Sequence, residues 1–142
     1  MADNLILQVG VKILIQNQEG KYLLLRRSLD KYPDINGRWD IVGGRIEPGT
    51  NLIDNLQREV REETKLEIIG EPKIVAAQDI LRKPGYHIVR LTYLGKVKGE
   101  IELDLSENDA YQWFSLSDLK ALEDVDVYLR ELLDNTNVLN LD

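Results

Sequence analysis

Gly43-Gly44-Arg45-Ile46-Glu47-Pro48-Gly49-Thr50 and, shortly after, Arg58-Glu59-Val60-Arg61-Glu62-Glu63 form the stretch from which the rest of the chain can be read. The glycine pair and Pro48-Gly49 are turn residues. The polar pair Thr50-Asn51 ahead of an aliphatic series at Leu52, Leu56 and Val60 predicts a capped helix running to about Leu66. At about 100° per residue, Leu52, Leu56 and Val60 spread over about 80° of one face, which the spacing assigns to the core. Arg61 points the opposite way. Glu59 and Glu63 project about 20° to either side of the Leu52 direction, and Glu62 about 80° away on the Glu59 side. Two carboxylates therefore lie along the stripe that should be buried.

A helix rich in Glu and Arg is ordinarily a solvated face laced by i,i+4 pairs. Carboxylates on a core-facing stripe, however, repel one another and cost desolvation energy unless cations compensate them, and Arg58 is one charge against three. A divalent metal resolves that conflict. Clustered carboxylates with waters and substrate phosphates suit Mg²⁺, or Mn²⁺ in its place, because these hard ions take oxygen ligands.

Outward from this stretch the pattern is mostly β. Residues 5–15 alternate loosely between apolar and polar, a turn at Gln16-Asn17-Gln18-Glu19-Gly20 follows, and residues 22–25 are apolar, so two strands are predicted around a turn. Residues 26–38 are polar, hold Pro33, Asn36 and Gly37, and read as a loop long enough for a functional role. Residues 39–42 make a short strand. Beyond the helix, residues 74–81 and 87–97 are rich in β-formers and are joined as a hairpin by Arg82-Lys83-Pro84-Gly85. Residues 111–115 are a further short strand. Ser117-Asp118 caps a short helix, and Val125, Leu129, Leu132 and Leu133 carry the spacing of a closing amphipathic helix that packs on the sheet. The expected fold is a mixed α/β (α+β) domain over residues 1–142 with a partly antiparallel sheet.

Composition narrows the functional classes. The 142 residues are 43% hydrophobic and 30% charged, proportions of an ordinary globular chain. Eighteen Lys and Arg against 25 Asp and Glu leave a formal charge of −7, which repels a phosphate backbone, so long nucleic acid is not expected as a partner. With no Cys and a single His, a thiolate nucleophile, a disulfide framework and an ordinary Cys/His zinc site are excluded. No apolar run is long enough to span a bilayer and no signal segment is evident, so the expectation is a cytoplasmic protein without a membrane partner.

The stretch that opened this reading resembles the signature of the Nudix hydrolase family. That signature is Gly, five residues, Glu, seven residues, then Arg-Glu-U-x-Glu-Glu-x-Gly-U, with U bulky and aliphatic. Gly44, Arg58, Glu59, Val60, Glu62, Glu63 and Leu66 fall on it in register, seven of its nine positions. Thr50 stands where the first Glu belongs and Lys65 where the last Gly does. The flanks also look like the smaller MutT-like members: Leu23-Leu24-Leu25-Arg26-Arg27, Trp39 before the glycine pair, Glu47, and Glu107 with Trp113 downstream.

The resemblance implies a Nudix-type α/β/α sandwich in which a strand, loop and helix hold one to three divalent cations against a diphosphate. Carried over by position, Glu59 and Glu63 would be metal ligands and Glu62 a ligand or the base that prepares the water. The Gly44 carbonyl would complete the inner shell, Arg58 would hold the loop and orient a carboxylate, and Glu107 would bring a further carboxylate to the metal. Arg27 and Arg45 match positions that bind substrate phosphates. The implied reaction is metal-dependent hydrolysis of a diphosphate linkage in a nucleoside triphosphate or a nucleoside diphosphate derivative. The alternative is a Nudix-fold module, weak or inactive, that binds nucleotide or a protein partner without turnover.

The two departures differ in consequence. Lys65 in place of a left-handed Gly would cost about 1 kcal/mol or force another ending to the helix. Thr50 can cap but brings no charge, so either activity is lowered or Glu47 or Glu107 completes the site. Trp39, Tyr86 and Trp113 can stack on a base but read better as core or rim packing, and His87 has no metal-ligating companions. Monomer and homodimer are equally compatible with the chain.

Overall fold

A computed structural model of the protein describes residues 4–135. In chain order they form β1 (Ile6–Gln16), β2 (Tyr22–Arg27), β3 (Trp39–Asp40), β4 (Val42–Arg45), α1 (Leu52–Thr64), β5 (Glu67–Ile80), β6 (Tyr86–Lys98), β7 (Asn108–Phe114), α2 (Leu116–Ala121) and α3 (Val127–Asp134). The sheet runs β3-β2-β1-β6-β5, with β4 added to β1 and β7 to β2. It is mixed, as expected: β1 and β6 are parallel, in register from Ile6 opposite Tyr86 to Ile15 opposite Gly95, and the other named strand pairs are antiparallel.

Alternation along β1 explains the two helical layers. Val11, Ile13 and Ile15 face one way and pack with Leu56 and Val60 of α1. Leu14 faces the other way and packs with Leu119, Leu129, Leu132 and Leu133 of α2 and α3. A strand buried on both sides reads as a nearly continuous apolar run, which is what 11–15 shows but for Lys12. The result is an α/β/α sandwich.

β1 changes partners along its length. It meets β2 only at Ile15 and Gln16, and from Ile13 back to Gly10 it pairs instead with β4. β2 meanwhile continues with β3 and β7. The sheet therefore divides into two wings, and a cleft of about 660 Å³ lies between and beside them.

Several boundaries differ from the sequence reading. β5 begins at Glu67, not 74, because β6 supplies partners across two register shifts, at Ile69/Lys73 and Ile74/Ala76, that hide the alternation. β2 extends to Arg27, and the strand expected at 39–42 is split at Ile41 into β3 and β4. β7 starts at Asn108. The N-cap of α1 is Asn51, whose side chain accepts from the Asp54 N–H at 2.8 Å, and that of α2 is Ser115, which leaves Ser117 and Asp118 inside the helix. Leu52, expected in the core, is 36% exposed because it opens the helix before the apolar stripe reaches the sheet. No helix among the described residues is long and apolar enough to cross a membrane.

The end of α1 answers the question raised by Lys65. The helix stops at Thr64, and Lys65 itself takes the left-handed conformation, φ 65°, donating its N–H to the Arg61 carbonyl at 3.0 Å. Thr64 locks the ending: its hydroxyl donates to the Val60 carbonyl at 2.6 Å and accepts from the Leu66 N–H at 3.2 Å. The geometry is the one Gly would adopt without the steric penalty. Lys65→Gly is expected to stabilise the fold by about 1 kcal/mol in urea denaturation.

Candidate active site

Two carboxylates of α1 lean on the β4 backbone. The Gly43 N–H donates to Glu63 Oε2 at 2.9 Å. Gly43 has φ 144°, and a side chain there would run into the Val11 carbonyl. A Cβ on Gly44 would stand 2.8 Å from the Glu59 carboxylate. Glycine at both positions is thus the condition for bringing Glu59 and Glu63 against the strand, as the helical angles anticipated. Glu62 lies aside from them and its side chain is 59% exposed.

Arg58 and Asn55 organise the loop between β4 and α1. Arg58 Nη1 is 3.0 Å from Glu59 Oε1, and Nη2 donates to Asn55 Oδ1 at 2.9 Å and to the Arg45 carbonyl at 3.3 Å. Asn55 is fully buried. Its Oδ1 also accepts from the Glu47 N–H at 2.9 Å, while its Nδ2 donates to the Thr50 and Asn51 carbonyls at 2.9 and 2.8 Å. The restraint on loop and arginine that the missing Glu at position 50 would supply therefore comes from Asn55. Glu47 is mostly exposed, with its carboxylate 3.8 Å from Arg58.

The opposing wall is a buried ionic cluster that the sequence reading did not single out. Asp40, 2% exposed, meets Arg90 Nη2 at 3.0 Å, Arg27 Nη2 at 2.9 Å and Lys12 Nζ at 3.2 Å. Lys12 also donates to the Ile41 and Gly43 carbonyls at 3.1 and 3.3 Å, and Arg90 Nη1 reaches Asp126 Oδ2 at 3.1 Å. Burial works to raise the Asp40 pKa, but Arg90, Lys12 and Arg27 outweigh it and hold the carboxyl far below the usual carboxylate range. The available signal was a lone cation inside an apolar strand, Lys12 in Val11-Lys12-Ile13 and Arg90 in Val89-Arg90-Leu91.

The other expected site residues fall as follows. Arg27 lines the cleft, with Nη2 of its guanidinium on Asp40. Arg45 lines it too and donates to Gln8. Glu107 comes from the loop before β7, where Tyr32 Oη donates to its Oε2 at 2.7 Å and Lys31 pairs with its other oxygen. Although burial opposes it, these two partners lower the Glu107 pKa. Trp39 packs edge-on against Phe114, centroids 5.4 Å apart, and Trp113 packs against the core. His87 pairs with Asp79 at 2.8 Å on the surface.

Among the described residues no three carboxylates converge into a ready-made metal cage. The chemistry of the donors nonetheless fits a hard divalent cation. Burial raises the pKa of Glu63 to about 7, with Lys12 opposing and the neighbouring Glu59 charge adding to the rise. Burial raises that of Glu59 as well, against Arg58. Two desolvated carboxylates of like charge, side by side and short of compensating cations, are oxygen donors that a doubly charged ion satisfies.

The NUDIX domain pattern matches residues 6–135. The chain belongs to the Nudix hydrolase family. It is 46% identical over 52 residues to nucleoside triphosphatase NudI of Escherichia fergusonii, a match covering 35% of this chain and 34% of that protein. It therefore spans about a third of the length of the first curated relatives it matches. Against nucleoside triphosphatase NudI of Klebsiella pneumoniae it is 29% identical over 119 residues, 75% of this chain and 81% of that one. The crystal structure of a MutT protein from Methanosarcina mazei superposes with a TM-score of 0.80 at 26% identity, covering 97% of this chain and 98% of the other.

Within the Nudix box, Asn55→Ala is expected to cost about 1–3 kcal/mol in denaturant titration, since it strips three backbone groups and Arg58 of their partner. Asp40→Asn leaves three cations facing one another and is expected to cost about 3–5 kcal/mol. Because the folded-state pKa of Asp40 lies below its unfolded value of 3.8, that stability is fully present above the unfolded value and is lost as pH falls below it. The gap between wild type and Asp40→Asn in urea melts should hold above about pH 5 and narrow towards acid.

Proposed function

We propose that this Nudix protein is a pyrophosphohydrolase that cleaves a diphosphate linkage in a nucleoside triphosphate, or in a nucleoside diphosphate derivative, with Mg²⁺ or Mn²⁺, in the cytoplasm. The observation that carries the proposal is the pair Glu59 and Glu63, desolvated against Gly43 and Gly44 and opening on the same cleft as Arg27 and Arg45. The names of the NudI relatives support the nucleoside triphosphate.

Glu59 and Glu63 would hold the cation, with Glu62 and the Gly44 carbonyl as further ligands. When bound, the cation neutralises charge on the phosphoryl oxygens and lowers the pKa of coordinated water. The protein's own groups do the positioning. Arg58 fixes the Glu59 carboxylate, the Gly43 N–H fixes that of Glu63, and Glu62, the most solvent-exposed of the three, would take a proton from water at its carboxylate. Arg45 and Arg27 bind phosphate oxygens, and Glu107 closes the opposite rim. Asn55 favours turnover over a silent binding module, because it supplies the loop restraint for which Thr50 is unsuited.

Phosphate and nucleotide release from a panel of nucleoside triphosphates, ADP-ribose, dinucleotides and sugar nucleotides, with and without Mg²⁺ or Mn²⁺, tests the proposal. Metal-dependent turnover of nucleoside triphosphates is expected, falling at least about 100-fold in Glu62→Gln/Glu63→Gln. Metal-independent turnover, or none across the panel, would sink it.

A further inference from the structure

The cleft does not end at the carboxylates and the ionic cluster. Beyond Arg90 its wall is made by Ile80, Lys83 and Ile88 of the β5–β6 hairpin and by Tyr128 in the first turn of α3. This end is largely apolar, and Tyr128 supplies its aromatic surface.

Two contacts to Tyr128 and an ion pair beside it clasp the hairpin to α3. Gln78 Nε2 donates to the Tyr128 carbonyl at 2.9 Å. The Arg82 guanidinium lies 5.6 Å from the Tyr128 ring centroid, within the range of a cation–π contact. Arg82 is itself tied to Glu131, one turn along α3 from Tyr128, at 3.1 Å. The main-chain N–H of Tyr128 donates to Asp126 Oδ2 at 3.0 Å, the oxygen that Arg90 also holds. The backbone is thus fixed before any ligand arrives, and the ring meets a guanidinium of the hairpin. Yet the phenolic hydroxyl makes no hydrogen bond among the described residues, and the side chain is only half-buried. A tyrosine immobilised at its base and bordered by aliphatic side chains, with its polar tip unspent, is a surface for a flat ring.

We propose that Tyr128 is the stacking platform for the nucleobase of the substrate, and that the Arg82–Glu131 brace and Gln78 keep it in place as positioning residues. The inference rests on the hydrolase reading for one point only, that phosphates lie at the Glu59–Glu63 end of the cleft. If they do, the nucleoside portion extends toward the hairpin end. A planar base meets the requirement of that surface, since every base has a π-face that can lie parallel to the ring. Trp39, Tyr86 and Trp113, the aromatic residues that the sequence suggests for stacking, are not among the residues that line the cleft: Trp39 is spent on Phe114 and Trp113 packs on the core.

The test compares wild type with Tyr128→Phe, Tyr128→Leu and Tyr128→Ala, all checked for an unchanged unfolding cooperativity. Two readouts are taken: kcat and KM on nucleoside triphosphate against inorganic tripolyphosphate, and metal-free binding of a nucleoside monophosphate by NMR titration. Stacking predicts that the preference for nucleoside triphosphate over tripolyphosphate falls about five- to 100-fold in the Leu and Ala variants, through KM, and is retained by Phe. Monophosphate affinity should fall in parallel. Arg82→Met should weaken the monophosphate by a smaller factor. A Leu variant equal to wild type would show that the position fills space and does not stack. Equal losses on tripolyphosphate would assign the effect to the site as a whole, and absence of monophosphate binding to the wild type would remove the subsite; each outcome overturns the proposal. If wild type turns over nothing while monophosphate binding still depends on the ring at 128, the hydrolase reading fails and the platform stands.

Discussion

One carboxylate holds the two wings of this molecule in relation to each other. Asp40, on the short strand β3, belongs by its backbone to the wing built on β2. Its oxygens meet Arg27 of that wing, and also Lys12 of β1 and Arg90 of β6 in the other. Where the sheet divides, no strand pairing among the described residues spans the gap, and these ion pairs do. Asp40, Lys12 and Arg90 are removed from water, and each of their charges is tolerable only because the others are present. The cleft is therefore not a gap left over by packing. One of its walls is a polar clamp.

The acidic wall obeys a second constraint, in which backbone and side chains exchange roles. Gly43 and Gly44 give up side chains so that Glu59 and Glu63 can rest on the strand, and the Gly43 N–H then becomes part of the site. Lys12 joins the two walls: its ammonium holds the Ile41 and Gly43 carbonyls and pairs with Asp40. Burial lowers the Lys12 pKa, with Asp40 opposing that shift. Loop, strand and helix are further bound by the hydrogen bonds of Asn55. A disturbance in the clamp thus reaches the carboxylates through one side chain and one glycine.

Much of this was legible in the sequence where the signal was local. The helical angles of Glu59 and Glu63, the turn between β1 and β2, the hairpin at Arg82 to Gly85 and the amphipathic closing helix each lie within a short window. The carboxylate stripe followed from that window alone, and the Nudix resemblance supplied the roles expected of Arg58 and Gly44 and the sandwich. What was not legible depends on partners distant in the chain. Nothing near Asp40 announces that Lys12 and Arg90 will meet it, and nothing near residue 67 shows that β6 will carry the strand through two register shifts. Asn55 passes locally for an ordinary helix residue; its value appears only when the loop folds back over it. Arg27 and Glu107 were expected at the cleft and line it, but each has a protein partner that no local pattern encodes.

The parallel pairing of β1 with β6 sets Ile6 opposite Tyr86 and Ile15 opposite Gly95. On a ribosome the first strand emerges long before its neighbour has been made, and at about 5–20 residues per second the wait lasts several seconds. Until then Lys12 has no Arg90 beside its carboxylate partner, and although β2 and β4 can already pair with β1, its long β6 edge stays open. The Nudix helix and its glycine loop, all local, can take shape during that interval. Biosynthesis would thus deliver the Nudix segment early and complete the ionic wall late, leaving a nascent chain with an exposed β-edge, the kind of intermediate that chaperones hold.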